Sequence, residues 1–160
     1  MKNLKGENST IILLIVFAAS VIILKLFVID FFIVSSNSML PVLKKGDIVL
    51  LLKKNVTQSN KGEVVVFKSP EENKKLVKRM AGIAGEPMAK FGLQDRMTEY
   101  TDRNIPANHF FALGDNSSDS YDSRYFGPID NADAIGSVQF IIWSSDSTGT
   151  NWNRIFSGVK

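Results

Sequence analysis

The chain has 160 residues, no cysteine, one histidine and a formal net charge of +3. That length suits one small domain plus a terminal segment, and the missing thiols exclude a disulfide framework, a thiolate metal site and a cysteine nucleophile. The charge is spread along the chain without the clustered Lys/Arg and interleaved aromatics of a nucleic-acid binder, so nucleic acid is not an expected partner.

Residues 1–10 are polar, with Lys2 and Lys5 against Glu7. Ile11–Ile29 is an apolar run of 19 residues with one charge, Lys25. As a helix it would measure about 28 Å, close to the ~30 Å hydrocarbon core of a bilayer. Lys25 would fall near its end, where the stem can run along the lipid and leave the ammonium among the headgroups. A cleaved signal peptide is the alternative. Its only small-residue cleavage pattern, Ala18-Ala19-Ser20, lies inside the run and not at its polar end, which favours a retained anchor. Lys2 and Lys5 favour an N-terminus on the cytoplasmic side, against a weaker opposing signal from Lys44 and Lys45. The expected organisation is a cytoplasmic segment 1–10, a transmembrane anchor 11–29 and an extracytoplasmic domain 30–160.

Past the anchor, Phe31–Val34 is a β-prone run leading into Ser35-Ser36-Asn37-Ser38-Met39-Leu40-Pro41. Lys44–Asp47 reads as a turn, and Ile48–Leu52 as a largely buried strand. Glu63–Phe67 is a second strand, closed by Ser69-Pro70. Leu76–Met80 is a third, running into Ala81–Gly85. Residues 87–106 show no clear period. Phe110–Leu113 is a short strand ending at the turn Gly114-Asp115-Asn116. Ile135–Trp143 is the last strand, with Gly136 marking a bulge or a close backbone approach. Many short strands with turn punctuation, and no useful amphipathic helix, predict a mainly β fold: one N-terminal transmembrane helix followed by a compact antiparallel, barrel-like domain.

The serine cluster reads either as a polar turn leaving the membrane or as a nucleophile loop. A serine hydroxyl attacks only when a base takes its proton. A lysine can serve if burial keeps its amine neutral, well below the free value near ~10.4. Lys78, between Leu76-Val77 and Met80-Ala81, suits that role by strand alternation, although a solvent-facing strand lysine reads the same way locally.

Four blocks in order carry a resemblance: Ser36–Pro41; Gly46-Asp47-Ile48-Val49; Leu76-Val77-Lys78-Arg79-Met80-Ala81-Gly82; and the fourteen residues Gly114–Gly127. With the tail from Ile135 through Trp143 to Ile155, they resemble type I bacterial signal peptidases, membrane-bound serine–lysine endopeptidases. The resemblance implies a signal-peptidase catalytic domain in the bacterial cytoplasmic membrane that cleaves signal peptides from secreted preproteins after Ala-x-Ala-like sites, without metal or cofactor, and with the bilayer as a partner surface. Ser38 would be the nucleophile and Lys78 the general base. The Ser38 amide and Ser36 hydroxyl would form the oxyanion hole. Ser120 would orient the lysine amine, and Asp122, Arg124 and Arg79 would form a supporting charge network. Phe32, Val34, Met39, Leu43, Leu76 and Val77 would line shallow pockets for small residues of an extended substrate.

The chain departs from the usual family pattern at Ser35, where proline is common, and at Asn37, where glycine is common. Leu76 stands at a frequent tyrosine and Ser117 at a frequent arginine. The short interval between Lys78 and Gly114 leaves no room for the large accessory domain of some members. His109, at a strand start, is read as structural. Asp115, Asp119 and Asp122 lack the glycine and closing glutamate of a calcium loop. Trp143 and Trp152 are read as core or membrane-surface aromatics. The rival readings are a conjugative-transfer peptidase processing a pilin, a self-cleaving repressor relative, and a non-catalytic membrane-tethered domain that binds peptides.

Overall fold

The computed structural model describes residues 4–53, 60–72, 74–93, 103–146 and 149–159. The first element is a helix, α1 (Leu4–Phe27), which takes in most of the polar N-terminal segment. Its stretch Ser9–Phe27 has a mean hydropathy of 2.8 and none of its side chains is buried. An apolar helix with no protein against it meets the length and composition needed to cross a bilayer.

The helix stops two residues before the expected end of the anchor. Ile29 and Asp30 belong instead to β1 (Ile29–Ile33), where they pair with Leu52 and Leu51 of β2 (Ile48–Leu52). The exit is fixed by Lys53, whose ammonium donates to the Lys25 and Leu26 carbonyls at 3.0 and 3.2 Å and lies 3.6 Å from the Asp30 carboxylate. A cation on the last, otherwise unsatisfied carbonyls stabilises a helix C-terminus.

The remaining strands are β3 (Val64–Lys68), β4 (Lys75–Ile83), β5 (His109–Leu113), β6 (Ile129–Asp130) and β7 (Ala134–Trp143), with a one-turn helix α2 (Ser123–Phe126) between β5 and β6. They form one seven-stranded antiparallel sheet in the order β1-β2-β7-β3-β4-β5-β6. It is a half-barrel, with β1 and β6 as its two edges. A separate small ribbon pairs β8 (Ser145–Asp146) with β9 (Gly149–Thr150). In the expected irregular stretch 87–106, Met88–Phe91 forms a 3₁₀ turn and Pro87 bridges to Asn104; residues 94–102 lie outside the described residues.

The sequence Val-Val-Val-Phe of β3 has no polar side because both of its faces are covered. Val64 and Val66 join Val34, Met39, Leu43, Val49 and Val77 in one core, while Val65 and Phe67 join Met80, Phe110 and Ile129 in a second. Phe67 meets Phe110 edge-on, with ring centroids 5.7 Å apart. Full burial of a side chain of this size contributes roughly 1.5–3 kcal/mol. Gly136 allows β2 and β7 to close up: a Cβ there would stand 2.4 Å from the Leu52 carbonyl oxygen. The β3–β7 register slips beside it, as the expected bulge requires.

Candidate active site

Between β1 and β2 the chain folds into a loop that turns back on the sheet. Val34 and the Gly46-Asp47 turn hold its ends together, with Val34 N to Asp47 O at 2.9 Å and Gly46 N to Val34 O at 2.8 Å. Met39 and Leu43 are fully buried in the first core and anchor the loop from below. Ser38, one residue before the first anchor, is 3% exposed, and its Oγ lies 3.1 Å from the Ser36 hydroxyl.

Lys78 comes from the middle of β4, paired with Val65 across the ladder. Because strand side chains alternate, Lys78 shares the orientation of Leu76 and Met80, away from water. It too is 3% exposed, and its Nζ stands 2.5 Å from Ser38 Oγ. Burial pulls the Lys78 amine down from 10.5 to about 8. The Asp122 carboxylate opposes that shift, Arg124 adds to it, and Asp119 and Asp115 weakly oppose it. An amine that loses its proton near pH 8 against a hydroxyl can accept that hydroxyl's proton.

The third segment follows β5. Gly114, Asp115 and Asn116 turn the chain over the serine loop, and the Asn116 amide donates to the Ser38 carbonyl at 2.9 Å. Gly114 is obligatory at this crossing, since a Cβ would lie 2.2 Å from Ser120 Oγ and 2.6 Å from the Ser38 carbonyl oxygen. Asp122 is completely buried. Its carboxylate accepts from Ser120 Oγ at 2.6 Å, from the Gly114 amide at 3.0 Å, and from Arg124 through Nε and Nη2, both at 2.9 Å. Burial alone would raise its pKa; the hydrogen bonds from Arg124, Gly114 and Ser120 outweigh it and hold the carboxyl below its usual range. A buried carboxylate is tolerable when each oxygen is paired in this way.

Several expected contacts differ. Arg79 does not join Asp122 and Arg124. Adjacent strand residues face opposite ways, so it turns from Lys78 and forms a two-point ion pair with Asp115, with Nε–Oδ1 and Nη2–Oδ2 both 2.7 Å, while Nη1 donates to the Gly62 carbonyl at 2.6 Å. The sequence offers Asp115 only as a calcium-loop residue; in the fold it and Asp122 are each committed to an arginine. The Ser120 hydroxyl donates to Asp122, whose charge in turn acts on the Lys78 amine.

The six expected pocket residues also divide. Val34, Met39, Leu43 and Val77 sit in the first core with Phe32 packed on it, whereas Leu76 packs on the second. Met39 and Leu43, at 0% exposure, support the loop and offer no surface to a ligand. His109 begins β5, four residues from Leu113 or about 13 Å along the strand, and its Nδ1 lies 2.8 Å from the Ala107 carbonyl. Trp143 and Trp152 are exposed and stack edge-on at 6.4 Å, so neither is a core residue.

Asp47 lies in the second of the resembling blocks and Arg154 in the tail, and the resemblance assigns neither a role. The fully buried Asp47 carboxylate accepts from Arg154 Nη2 at 2.6 Å, and the same nitrogen donates to the Val42 carbonyl at 2.9 Å. The C-terminal segment is thereby clamped to the serine loop. The signal available in the sequence was an aspartate after a turn glycine; its partner lies too far along the chain for any local pattern to reveal.

These elements define a β domain on a membrane-length helix, with a buried lysine held against a serine hydroxyl beside β4. The chain belongs to the signal peptidase family, peptidase S26, whose family model matches residues 7–90 and 88–143. Mitochondrial inner membrane protease subunit 1 of Mus musculus is 32% identical over 114 residues, covering 68% of this chain and 66% of that protein. Subunit 2 of Danio rerio is 30% identical over 116 residues, covering 71% and 58%. An inactive signal peptidase IA of Staphylococcus aureus is 29% identical over 123 residues, covering 61% and 70%. The chain thus spans somewhat under two thirds of the length of the mitochondrial relatives. A crystal structure of a signal peptidase I from Enterococcus faecalis V583 superposes with a TM-score of 0.41 at 25% identity, over 50% of this chain and 96% of that one.

Proposed function

We propose that this chain is a membrane-bound serine endopeptidase that removes N-terminal signal peptides from translocated preproteins after Ala-x-Ala-like sites. The observation that carries the reading is the buried contact of Lys78 Nζ with Ser38 Oγ at 2.5 Å. In the neutral state Lys78 takes the Ser38 proton as Oγ adds to the scissile carbonyl carbon. The charge that develops on the carbonyl oxygen is met by the Ser38 amide and the Ser36 hydroxyl, donors commonly worth ~2.7–4 kcal/mol each. Collapse breaks the C–N bond, and Lys78 returns the proton to the leaving amine, the new N-terminus of the mature protein. Lys78 then activates a water that hydrolyses the signal-peptide ester and restores Ser38. Asp122 tunes Lys78 and, through Ser120 and Gly114, braces the turn above it.

The bilayer fits the same reading. Two rows cross the outer face of the sheet beside α1: Phe31, Leu50 and Phe140, then Ile33, Ile48 and Trp143. Phe31, Ile33, Phe140 and Trp143 are exposed, as are Trp152 and Phe156. An apolar patch with tryptophans is suited to the interfacial layer. With the N-terminus inside a bacterial cytoplasmic membrane, this face would rest on the outer leaflet and keep Ser38 near it.

The deciding experiment is incubation of the detergent-solubilised chain with a secretory preprotein, followed by N-terminal sequencing. The expected new terminus follows Ala-x-Ala; cleavage of a pilin alone would favour the conjugative relative, and no cleavage a peptide-binding domain. The pH profile supplies a second test. The protonated Lys78 amine is inactive, so kcat/KM should fall about tenfold per pH unit below the base's pKa. The expected profile rises to near pH 8 and then levels. A flat profile between pH 6 and 10 would exclude Lys78 as the base.

A further inference from the structure

The peptide unit joining Asn37 to Ser38 supplies the amide on which the proposed oxyanion hole depends, and one residue holds it from behind. Asn116 Nδ2 donates to the Asn37 carbonyl at 3.2 Å. The Leu40 amide donates to the same oxygen at 3.1 Å. The Asn116 backbone amide, in turn, donates to the Ser38 carbonyl at 2.9 Å. Asn116 therefore grips the peptide planes on both sides of the Ser38 Cα. Its side chain is oriented in turn by Ser118, whose hydroxyl donates to Asn116 Oδ1 at 3.1 Å. That bond sets which end of the carboxamide is the donor.

A trans peptide is planar, and its C=O and N–H point in opposite directions. Fixing the Asn37 carbonyl against Asn116 thus aims the Ser38 N–H away from the Asn116 turn, and that amide donates to no other group among the described residues. A carbonyl that accepts two hydrogen bonds also leaves its peptide N–H more polar, the cooperative strengthening expected of linked hydrogen bonds.

We propose that Asn116 is a positioning residue for the oxyanion-binding amide, holding the Asn37–Ser38 peptide so that the Ser38 N–H faces the reacting carbonyl before substrate arrives. The assignment rests on the peptidase reading above. It differs from a general bracing role because it predicts which kinetic constant moves. Donors aimed at developing charge act on the transition state and not on ground-state binding, and Asn116 makes no contact with Lys78 among the described hydrogen bonds.

The test is steady-state cleavage of a preprotein-derived peptide by the full chain, wild type against Asn116→Ala and Asn116→Asp, with a pH profile for each. Loss of one neutral hydrogen bond should lower kcat by about tenfold in Asn116→Ala. Asn116→Asp keeps the shape but sets a carboxylate oxygen against the Asn37 carbonyl, and should lose more. In both, KM should stay within about twofold and kcat should fall even on the alkaline plateau. The pH midpoint should remain that of the wild type in Asn116→Ala, while the added carboxylate of Asn116→Asp, like its neighbours Asp115 and Asp119, should raise it. The Asn116 backbone bond to Ser38 survives in each variant; if Asn116→Ala fails to fold, the nearly isosteric Asn116→Asp decides alone. An unchanged kcat or a loss confined to KM in either variant, or a displaced pH midpoint in Asn116→Ala, would each overturn the assignment. Ser38→Ala is the control: wild-type cleavage that survives it would bring down the peptidase reading, whereas Asn116 variants matching an active wild type remove only the inference.

Discussion

Ser38→Ala and Lys78→Ala should each lower preprotein cleavage by at least about 10⁴-fold, while His109→Ala should leave it within about twofold. The magnitude follows from how the two groups act. Neither does anything for the reaction without the other: the hydroxyl is a poor nucleophile until its proton is taken, and the amine has no bond to make with the substrate. The double variant should therefore be no worse than either single one. Lys78→Arg should be as inactive as Lys78→Ala, because a guanidinium stays charged at any workable pH. His109 is at the far end of β5 with Nδ1 against the Ala107 carbonyl, so it can neither reach Ser38 nor replace Lys78. Single-turnover cleavage on solubilised protein checks the series. An active Lys78→Ala variant with an inactive His109→Ala variant would invert the assignment.

Much of this arrangement was legible in the residue pattern, and the failures share a cause. β3 could be read as buried because Val64–Phe67 has no polar alternation, and Lys78 could be turned inward because it shares its parity with Leu76 and Met80. The same parity separates Val77 from Leu76 and Arg79 from Lys78, and that separation is legible in the strand pattern itself. Other features were beyond local pattern. The end of α1 depends on Ile29 finding Leu52 and on Lys53 reaching back to the Lys25 carbonyl. The apolar run Leu26–Ile29 carries no mark of that pairing, since β-branched and aromatic residues serve a membrane helix and an edge strand alike. Met39 and Leu43 are apolar whether they line a pocket or hold up a loop; only the packing under Ser38 decides. The Arg154–Asp47 clamp joins residues 107 positions apart, and nothing at either end names the other.

Asp122→Asn should cost about 3–5 kcal/mol of folding stability, the usual loss when one partner of a buried ion pair is removed. The carboxylate is fully buried and its oxygens accept from two Arg124 nitrogens, Ser120 and the Gly114 amide. An asparagine presents an NH₂ where an acceptor is needed, leaving Arg124, itself 15% exposed, facing a donor. The pH dependence has a definite sign. Because the folded carboxyl titrates below its unfolded value near ~3.9, its contribution is fully present above that value and disappears as pH falls through the folded pKa. Wild type and variant should then converge in strongly acidic solution and differ most near neutrality, as urea unfolding at several pH values would measure. The same substitution should act on Lys78. Asp122 opposes the burial that depresses the Lys78 amine, and Arg124 reinforces it. Removing the carboxylate takes away the strongest opposing charge and leaves only the weaker Asp119 and Asp115 against burial and Arg124, so the activity profile of whatever protein folds should shift to lower pH. A midpoint that stays put or moves upward would mean that Asp122 supports the turn without tuning the lysine.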